Sequence, residues 1–120
     1  MIEIHRTGYI GEKKTASYLK RRGYKILERN FRVKSGEIDI IAKKGGIIAF
    51  VEVKTRKEDA FQKGVFAVDG KKQRKIKSAA GSYLQQTGYS LQPRFDISDI
   101  TVKKFGIIKK YIIEYYENAF

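Results

Sequence analysis

The apolar positions along this chain follow two periods. From Gly36 to Lys54 the sequence runs GEIDIIAKKGGIIAFVEVK, in which Ile38 to Ala42 and Ile47 to Val53 are β-branched and apolar. Lys43-Lys44-Gly45-Gly46 between them is turn chemistry, so the pattern predicts two strands joined by a tight turn. The run Ile47 to Val51 is apolar on both faces and reads as a central, covered strand. Residues 8 to 22 predict a helix ended by Gly23, with Glu12, Ala16 and Leu19 at i, i+4 and i+7 on one face, away from Lys13, Lys14, Lys20, Arg21 and Arg22. Tyr24 to Val33 predicts a first strand. Glu28, Arg29 and Asn30 interrupt its apolar members Ile26, Leu27, Phe31 and Val33, so a bend or bulge is expected. Asp69 has the chemistry of an N-cap for a second helix running to about Thr87, stopped by Gly88, with Ile76, Ala79, Ala80, Tyr83 and Leu84 as its core stripe.

Two more strands follow, Arg94 to Val102 with Pro93 at its start, and Ile107 to Tyr116. The aromatics of the last strand, with Phe105 and Phe120, are expected in the core; a dimer surface and base stacking are the alternatives. Residues 56 to 68 show neither period and predict a loop, and residues 1 to 7, which include His5, a loose end without an assigned role. The element order is α-β-β-β-α-β plus a trailing strand. A strand-helix-strand run from 47 to 102 requires a crossover and a parallel pair. The expectation is an α/β fold, one domain over residues 1–120, with a mixed sheet flanked by two helices.

The most hydrophobic part of the chain nevertheless carries Glu37, Asp39, Glu52 and Lys54, and charged groups are rarely buried in an apolar sheet unless paired or metal-bound. If Ala42 pairs with Ile47, Asp39 falls opposite Phe50 and Glu37 opposite Glu52. Asp39, Glu52 and Lys54 then share one face, with Asp39 and Glu52 diagonal neighbours roughly 7–8 Å apart at the backbone. A register shift of two preserves this face; a single-residue bulge destroys it. Two carboxylates beside an ammonium form a hard-cation site suited to Mg²⁺ or Mn²⁺ rather than zinc. A salt-bridge ladder on a half-exposed hairpin is the plainer alternative, and the covered character of the second strand weighs against it. Glu12 points toward the core and supplies a further ligand or water-holder, or is simply a first-turn glutamate favoured by the helix dipole. Gln73 lies three before Ile76 and seven before Ala80, which turns it inward beside the sheet, although a polar residue at a helix end explains it equally well.

Composition adds a partner. Against 13 acidic residues stand 26 Lys and Arg, a net charge of +13, which implies a polyanion, foremost nucleic acid; a soluble basic protein with no such partner is the alternative. Lys71, Lys72, Arg74 and Lys75 crowd a helix start where amide donors also favour anions, and Arg56 and Lys57 follow the second hairpin strand; both groups are expected to hold phosphates. At 120 residues without cysteine, the chain excludes disulfides and a thiolate zinc site and fits a reducing cytoplasm. No apolar run has the length of a membrane helix and the first residues lack a signal-peptide pattern, so no membrane association is expected.

The GEID of Gly36 to Asp39, followed by the FVEVK of Phe50 to Lys54, resembles the bipartite D…ExK signature of restriction-endonuclease-like nucleases. Gly11-Glu12, ERNFR at Glu28 to Arg32, AVDGKKQ at Ala67 to Gln73 and RFD at Arg94 to Asp96 extend the likeness over about residues 8 to 102 and bring it closest to the YraN-like family of small bacterial proteins, similar to archaeal Holliday-junction resolvases. The resemblance implies a restriction-endonuclease-like αβββαβ core and a metal-dependent endonuclease acting on DNA, branched DNA included. It implies that Asp39 and Glu52, with the Val53 carbonyl, hold Mg²⁺ or Mn²⁺, that Lys54 orients or deprotonates the attacking water or stabilises charge on the phosphate, and that Glu12 and Gln73 support the site. A two-fold-symmetric substrate would favour a homodimer. The alternatives are a non-catalytic nucleic-acid-binding module that retains the fold, and RNA as the substrate. Asp96 is expected to be a structural partner of Arg94 or of a neighbouring basic residue.

Overall fold

Glycines follow the C-terminal ends of both helices, and an N-cap opens the second, in the computed structural model, which describes residues 2–58 and 68–120, with side chains from residue 8 onward. The elements are α1 (Ile2–Arg21), β1 (Lys25–Val33), β2 (Gly36–Lys44), β3 (Ile47–Lys57), α2 (Gly70–Thr87), β4 (Gln92–Phe105) and β5 (Ile108–Tyr116). The Asp69 side chain accepts the Lys72 amide at 2.9 Å, and the Gly88 amide closes the far end of α2 on the Leu84 carbonyl. The helix α1 ends at Arg21, as expected before Gly23, but starts at Ile2 rather than residue 8. Nothing between Ile2 and Thr7 breaks a helix, and one glycine at position 8 is tolerated within it.

The strands form one sheet in the order β1-β2-β3-β4-β5. Neighbours are antiparallel except β3 and β4, which run parallel through the α2 crossover, so the expected mixed α/β architecture with an added C-terminal strand is present. One face of the sheet packs on α2 through Ile41, Ile48, Phe50, Ile97 and the helix stripe Ile76, Ala79, Ala80 and Tyr83. The other packs on α1 through Ala16, Leu19, Ile40, Ala42, Ala49 and Val51.

The central hairpin is tighter than its composition suggests. Lys44 pairs with Ile47 and Ala42 with Ala49, a shift of two from the Ala42–Ile47 pairing expected. Gly45 takes φ +57 and lets a two-residue turn replace a four-residue one, so Lys43 and Lys44 join the strand. A shift of two leaves every side chain on its face. The strand β3 continues to Lys57, so Arg56 and Lys57 belong to the sheet, opposite Thr101 and Val102, rather than to a loop. The rest of the expected loop, residues 59–67, including Ala67 of the AVDGKKQ run, lies outside the described residues. The bulge anticipated in β1 falls between Ile26 and Glu28.

Gly36 opens β2 where α2 lies against it: a Cβ there would sit 2.6 Å from the Lys75 carbonyl oxygen. Backbone cannot retreat as a side chain can, so Gly36→Ala is expected to lose roughly 1–3 kcal/mol of stability by urea unfolding. An unchanged midpoint would mean that α2 shifts freely on the sheet. Among the described residues no helix is long and apolar enough to cross a membrane.

Candidate active site

The strands β2 and β3 pair only as far as Ile40–Val51. Beyond that point β2 stays with β1, through Phe31–Ile38, while β3 stays with β4 from Glu52–Ile97 to Lys57–Val102. The sheet therefore forks, and Asp39 and Glu52 are the first residues on its two arms. At the same point β2 reverses its faces. Ile38 packs on the α2 side and Ile40 on the α1 side, where strict alternation would set them together. Asn30, between the pairs Arg29–Ile40 and Phe31–Ile38, takes φ +54, so both strands share the reversal. A single-residue irregularity within the hairpin would separate the carboxylates; here it falls on the β1–β2 side, and β2–β3 stays in register up to the fork. With no ladder partner beyond Val51, the Val53 amide donates instead to Asp39 Oδ2 at 2.8 Å, which ties the carboxylate to β3.

Glu52 is 3% exposed and faces α2. Its Oε2 accepts from Lys72 Nζ at 2.8 Å and lies 3.5 Å from Lys54 Nζ. The Asp39 carboxyl is pushed up to about 8, first by burial and then by the charge of Glu52, with which it shares a hydrogen bond. Asp39 thus keeps its proton at neutral pH. Burial opposes the charge on Lys72, but its hydrogen bond and attraction to Glu52 outweigh this and raise its pKa. Glu12 enters from α1, 3.9 Å from Arg29. Burial raises its carboxyl, while Asn30 and Arg29 pull the other way. Gly11, beside it, is where α1 touches β3, since a Cβ there would overlap Thr55 Oγ1.

These groups open into a cleft of about 870 Å³ lined by Glu12, Asp39, Glu52 and Val53 and by six cations, Lys54, Arg56, Lys57, Lys72, Lys104 and Lys109. A second hollow of about 610 Å³ shares Lys72 and adds Arg32, Lys34 and Lys75. The structure thus brings Asp39, Glu52, Val53, Lys54 and Glu12 together with Arg56, Lys57 and Lys72, and sets Lys75 in the adjoining hollow. Lys71 and Arg74 lie on the exposed surface of α2. Gln73 does not line the cleft; its Nε2 donates to the Val68 carbonyl at 3.0 Å and holds the start of the helix. The α2 side chain that reaches Glu52 is Lys72, which the sequence reading assigned to the phosphate face. Its position four before Ile76 and seven before Ala79 was the signal for an inward-facing residue. Arg56 Nη2 lies 3.4 Å from Asp99 Oδ1, a buried carboxylate whose place beside Lys54 depends on the β3–β4 register and has no local signature. Among the described residues no group of three or more acidic, histidine or cysteine side chains converges to hold a metal ion. The chemistry present is a carboxylate pair with two ammonium groups.

A small, basic, mixed α/β protein with a half-buried aspartate, a buried glutamate and two lysines at the fork of its sheet is the class defined so far. The chain belongs to the uncharacterised protein family UPF0102, which residues 11–100 match; this is the YraN-like family that the sequence resembles. It is 42% identical over 114 residues to a UPF0102 protein of Alkaliphilus metalliredigens, covering 94% of this chain and 96% of the relative. A UPF0102 protein of Thermodesulfovibrio yellowstonii is 45% identical over 113 residues, 94% of each chain. A UPF0102 protein of Syntrophus aciditrophicus is 41% identical over 121 residues, 100% of this chain and 95% of the relative.

Proposed function

We propose that the fork is the active site of a metal-dependent endonuclease-like protein with a restriction-endonuclease-like fold, hydrolysing phosphodiester bonds in cytoplasmic DNA, branched DNA included. The observation that carries this reading is the pairing of half-buried Asp39 with buried Glu52, with Lys54 beside them, in a cleft lined by lysine and arginine. A carboxyl pair in which burial and the charge of Glu52 raise the Asp39 pKa suits Mg²⁺ or Mn²⁺, which would take the place of the Asp39 proton. Such ions take one or two protein carboxylates and complete their shell with water and substrate phosphate. Asp39 and Glu52 would hold the ion, with the Val53 carbonyl as a further oxygen. A bound ion supplies polarisation of the phosphodiester and a lowered pKa for water.

The chain's own residues do the rest. The Val53 amide fixes the Asp39 carboxylate. Lys54 orients the attacking water or takes up its proton, or stabilises charge on the phosphate. Lys72 holds Glu52 in place, and Glu12 retains a water at the rim. Gln73 enters only through the N-terminus of α2. Arg56, Lys57, Lys71, Arg74 and Lys75 hold the flanking phosphates, in a protein whose net charge of +13 draws in a polyanion. A symmetric junction would be met by a homodimer.

A second reading, a non-catalytic nucleic-acid-binding module, is favoured by one observation: Lys54 and Lys72 already offset the charge of Glu52. Cleavage of labelled four-way junction, flap, duplex and single-stranded DNA, with an RNA duplex alongside, separates the two. With Mg²⁺ or Mn²⁺ present, Glu52→Ala and Lys54→Ala are each expected to cut at less than about a tenth of the wild-type rate while still binding. Binding without cutting, the same in all three proteins, would leave the module reading.

A further inference from the structure

The last pair between β3 and β4 is Lys57–Val102, whereas β4 and β5 stay paired to Phe105–Ile108. Among the described residues, 103–110 therefore form a two-stranded ribbon with no other sheet neighbour. Such a ribbon gains little stability of its own, and among the described residues its apolar side chains belong to neither core cluster. Yet Phe105 is 59% exposed, Ile107 fully exposed and Ile108 66% exposed, at and beside the turn on Gly106. Directly behind this apolar tip, lysine faces lysine across the ribbon twice, Lys103–Lys110 and Lys104–Lys109. Like charges set opposite each other destabilise a strand pair; Glu58, 3.7 Å from Lys103, offsets one of these charges, and a polyanion lying against the collar would offset the Lys104–Lys109 pair. Lys104 and Lys109 also line the cleft that holds Asp39 and Glu52. A strand of phosphates entering that cleft would pass the collar and bring its bases to the tip.

We propose that the β4–β5 ribbon is a nucleic-acid wedge: Lys104 and Lys109 seat on phosphates while Phe105 and Ile107 insert between base steps and part them, so that branched or unstacked DNA is engaged in preference to plain duplex. Apolar side chains inserted from a basic scaffold partially unstack a step, most easily where the bases are already unpaired. The inference rests on the cleft taking nucleic acid, not on cleavage. A second copy of the chain would bring two lysine collars together against their repulsion. A flat anionic membrane would touch the tip but not the cleft.

The test uses the intact protein in EDTA with a four-way junction and a duplex of the same sequence, each carrying 2-aminopurine beside the branch position. Binding is read by anisotropy and unstacking by fluorescence. Wild type is expected to bind the junction more tightly and to raise the fluorescence severalfold. Phe105→Ser with Ile107→Ser is expected to abolish the rise while binding weakens less than about tenfold, and Lys104→Ala with Lys109→Ala to weaken binding to both DNAs at least fivefold. All these side chains are exposed, so none of the variants should melt below wild type, which excludes misfolding. Unstacking without cleavage once Mg²⁺ is added would sink the nuclease reading alone. Bound wild type with unchanged fluorescence, or the serine variant unstacking as well as wild type, would overturn the wedge. So would a dimer, or binding to phosphatidylglycerol vesicles, that the serine variant loses while its DNA signals stay unchanged.

Discussion

Asp39→Asn is expected to make the metal-free protein more stable than wild type at pH 9, by on the order of 3 kcal/mol, and to change little at pH 4. Asparagine has the shape of the protonated aspartate and still offers an oxygen to the Val53 amide, so the geometry of the fork is kept. What disappears is a titration. The native protein holds a proton on Asp39 up to pH about 8, against an ordinary carboxyl value of 3.8 in the unfolded chain. Between those two values the folded state binds more protons than the unfolded state, so wild-type stability falls as pH rises and levels off above about 8. The variant has no such slope. Urea unfolding in EDTA from pH 4 to 9 measures the difference, and an offset that is the same at every pH would show that burial and Glu52 do not perturb Asp39. If the site takes a metal as proposed, a cation would replace the proton in Mg²⁺, so the wild-type slope should flatten while Asp39→Asn gains nothing.

This local instability fits the way the fork is built. The apolar cores on both faces of the sheet run up to the fork, where Asp39 sits between the buried Ile38 and Ile40 as β2 changes faces and Glu52 follows Val51. Lys72 reaches in from α2 to offset one of the two charges, and a proton offsets the other. A site meant only to hold the sheet together would be served better by two more apolar residues, since a buried ion pair rarely stabilises more than a well-packed apolar substitute.

Much of this was legible because local chemistry decides it. Gly23, Asp69 and Gly88 end or begin helices through their own backbone and side-chain preferences, and the central hairpin announces itself by β-branched runs around two glycines. The expected register was off by two because Lys43 and Lys44 look like turn residues when they are strand residues. The active face survived the error because strand alternation has a period of two. The reversal of β2 at Asp39 was not legible, since it depends on Asn30 in the neighbouring strand adopting a left-handed conformation. Lys72 and Gln73 are adjacent on α2 and both lie near its apolar stripe; only the contact with Glu52 separates their roles. Asp99 beside Lys54, and the overhang of the β4–β5 ribbon, follow from where β3 stops pairing with β4, a long-range fact with no local signature.

Asp96→Ala should cost about 3–5 kcal/mol, through structure rather than chemistry. Asp96 is fully buried on the α1 side of β4. Arg94 grips it with Nε at 2.9 and 3.1 Å and Nη2 at 2.8 Å, and the same guanidinium donates to the Tyr24 hydroxyl at 2.6 Å. The Tyr115 hydroxyl donates to Asp96 at 2.6 Å and the Asn118 amide at 2.9 Å. One carboxylate therefore joins the start of β1, the edge strand β5 and the C-terminal residues, where the Ala119 amide also meets the Phe95 carbonyl at 2.7 Å. Hydrogen bonding to Asp96 first, and its charge with it, raise the Arg94 pKa; burial and then Asp96 raise that of Tyr115. Removing the carboxylate leaves a largely buried guanidinium with Glu117 at 3.7 Å as its remaining ion-pair partner, and that side chain is 63% exposed. Arg94→Ala in the Asp96→Ala background should then cost much less than Arg94→Ala alone, because the arginine has already lost the group it serves; a double-mutant cycle by urea unfolding reads that coupling. A loss within about 1 kcal/mol for Asp96→Ala would mean that the C-terminal residues hold without it. The contrast with the fork is the useful part: Glu52→Ala should remove cleavage and leave the fold standing, and Asp96→Ala should weaken the fold around an intact site.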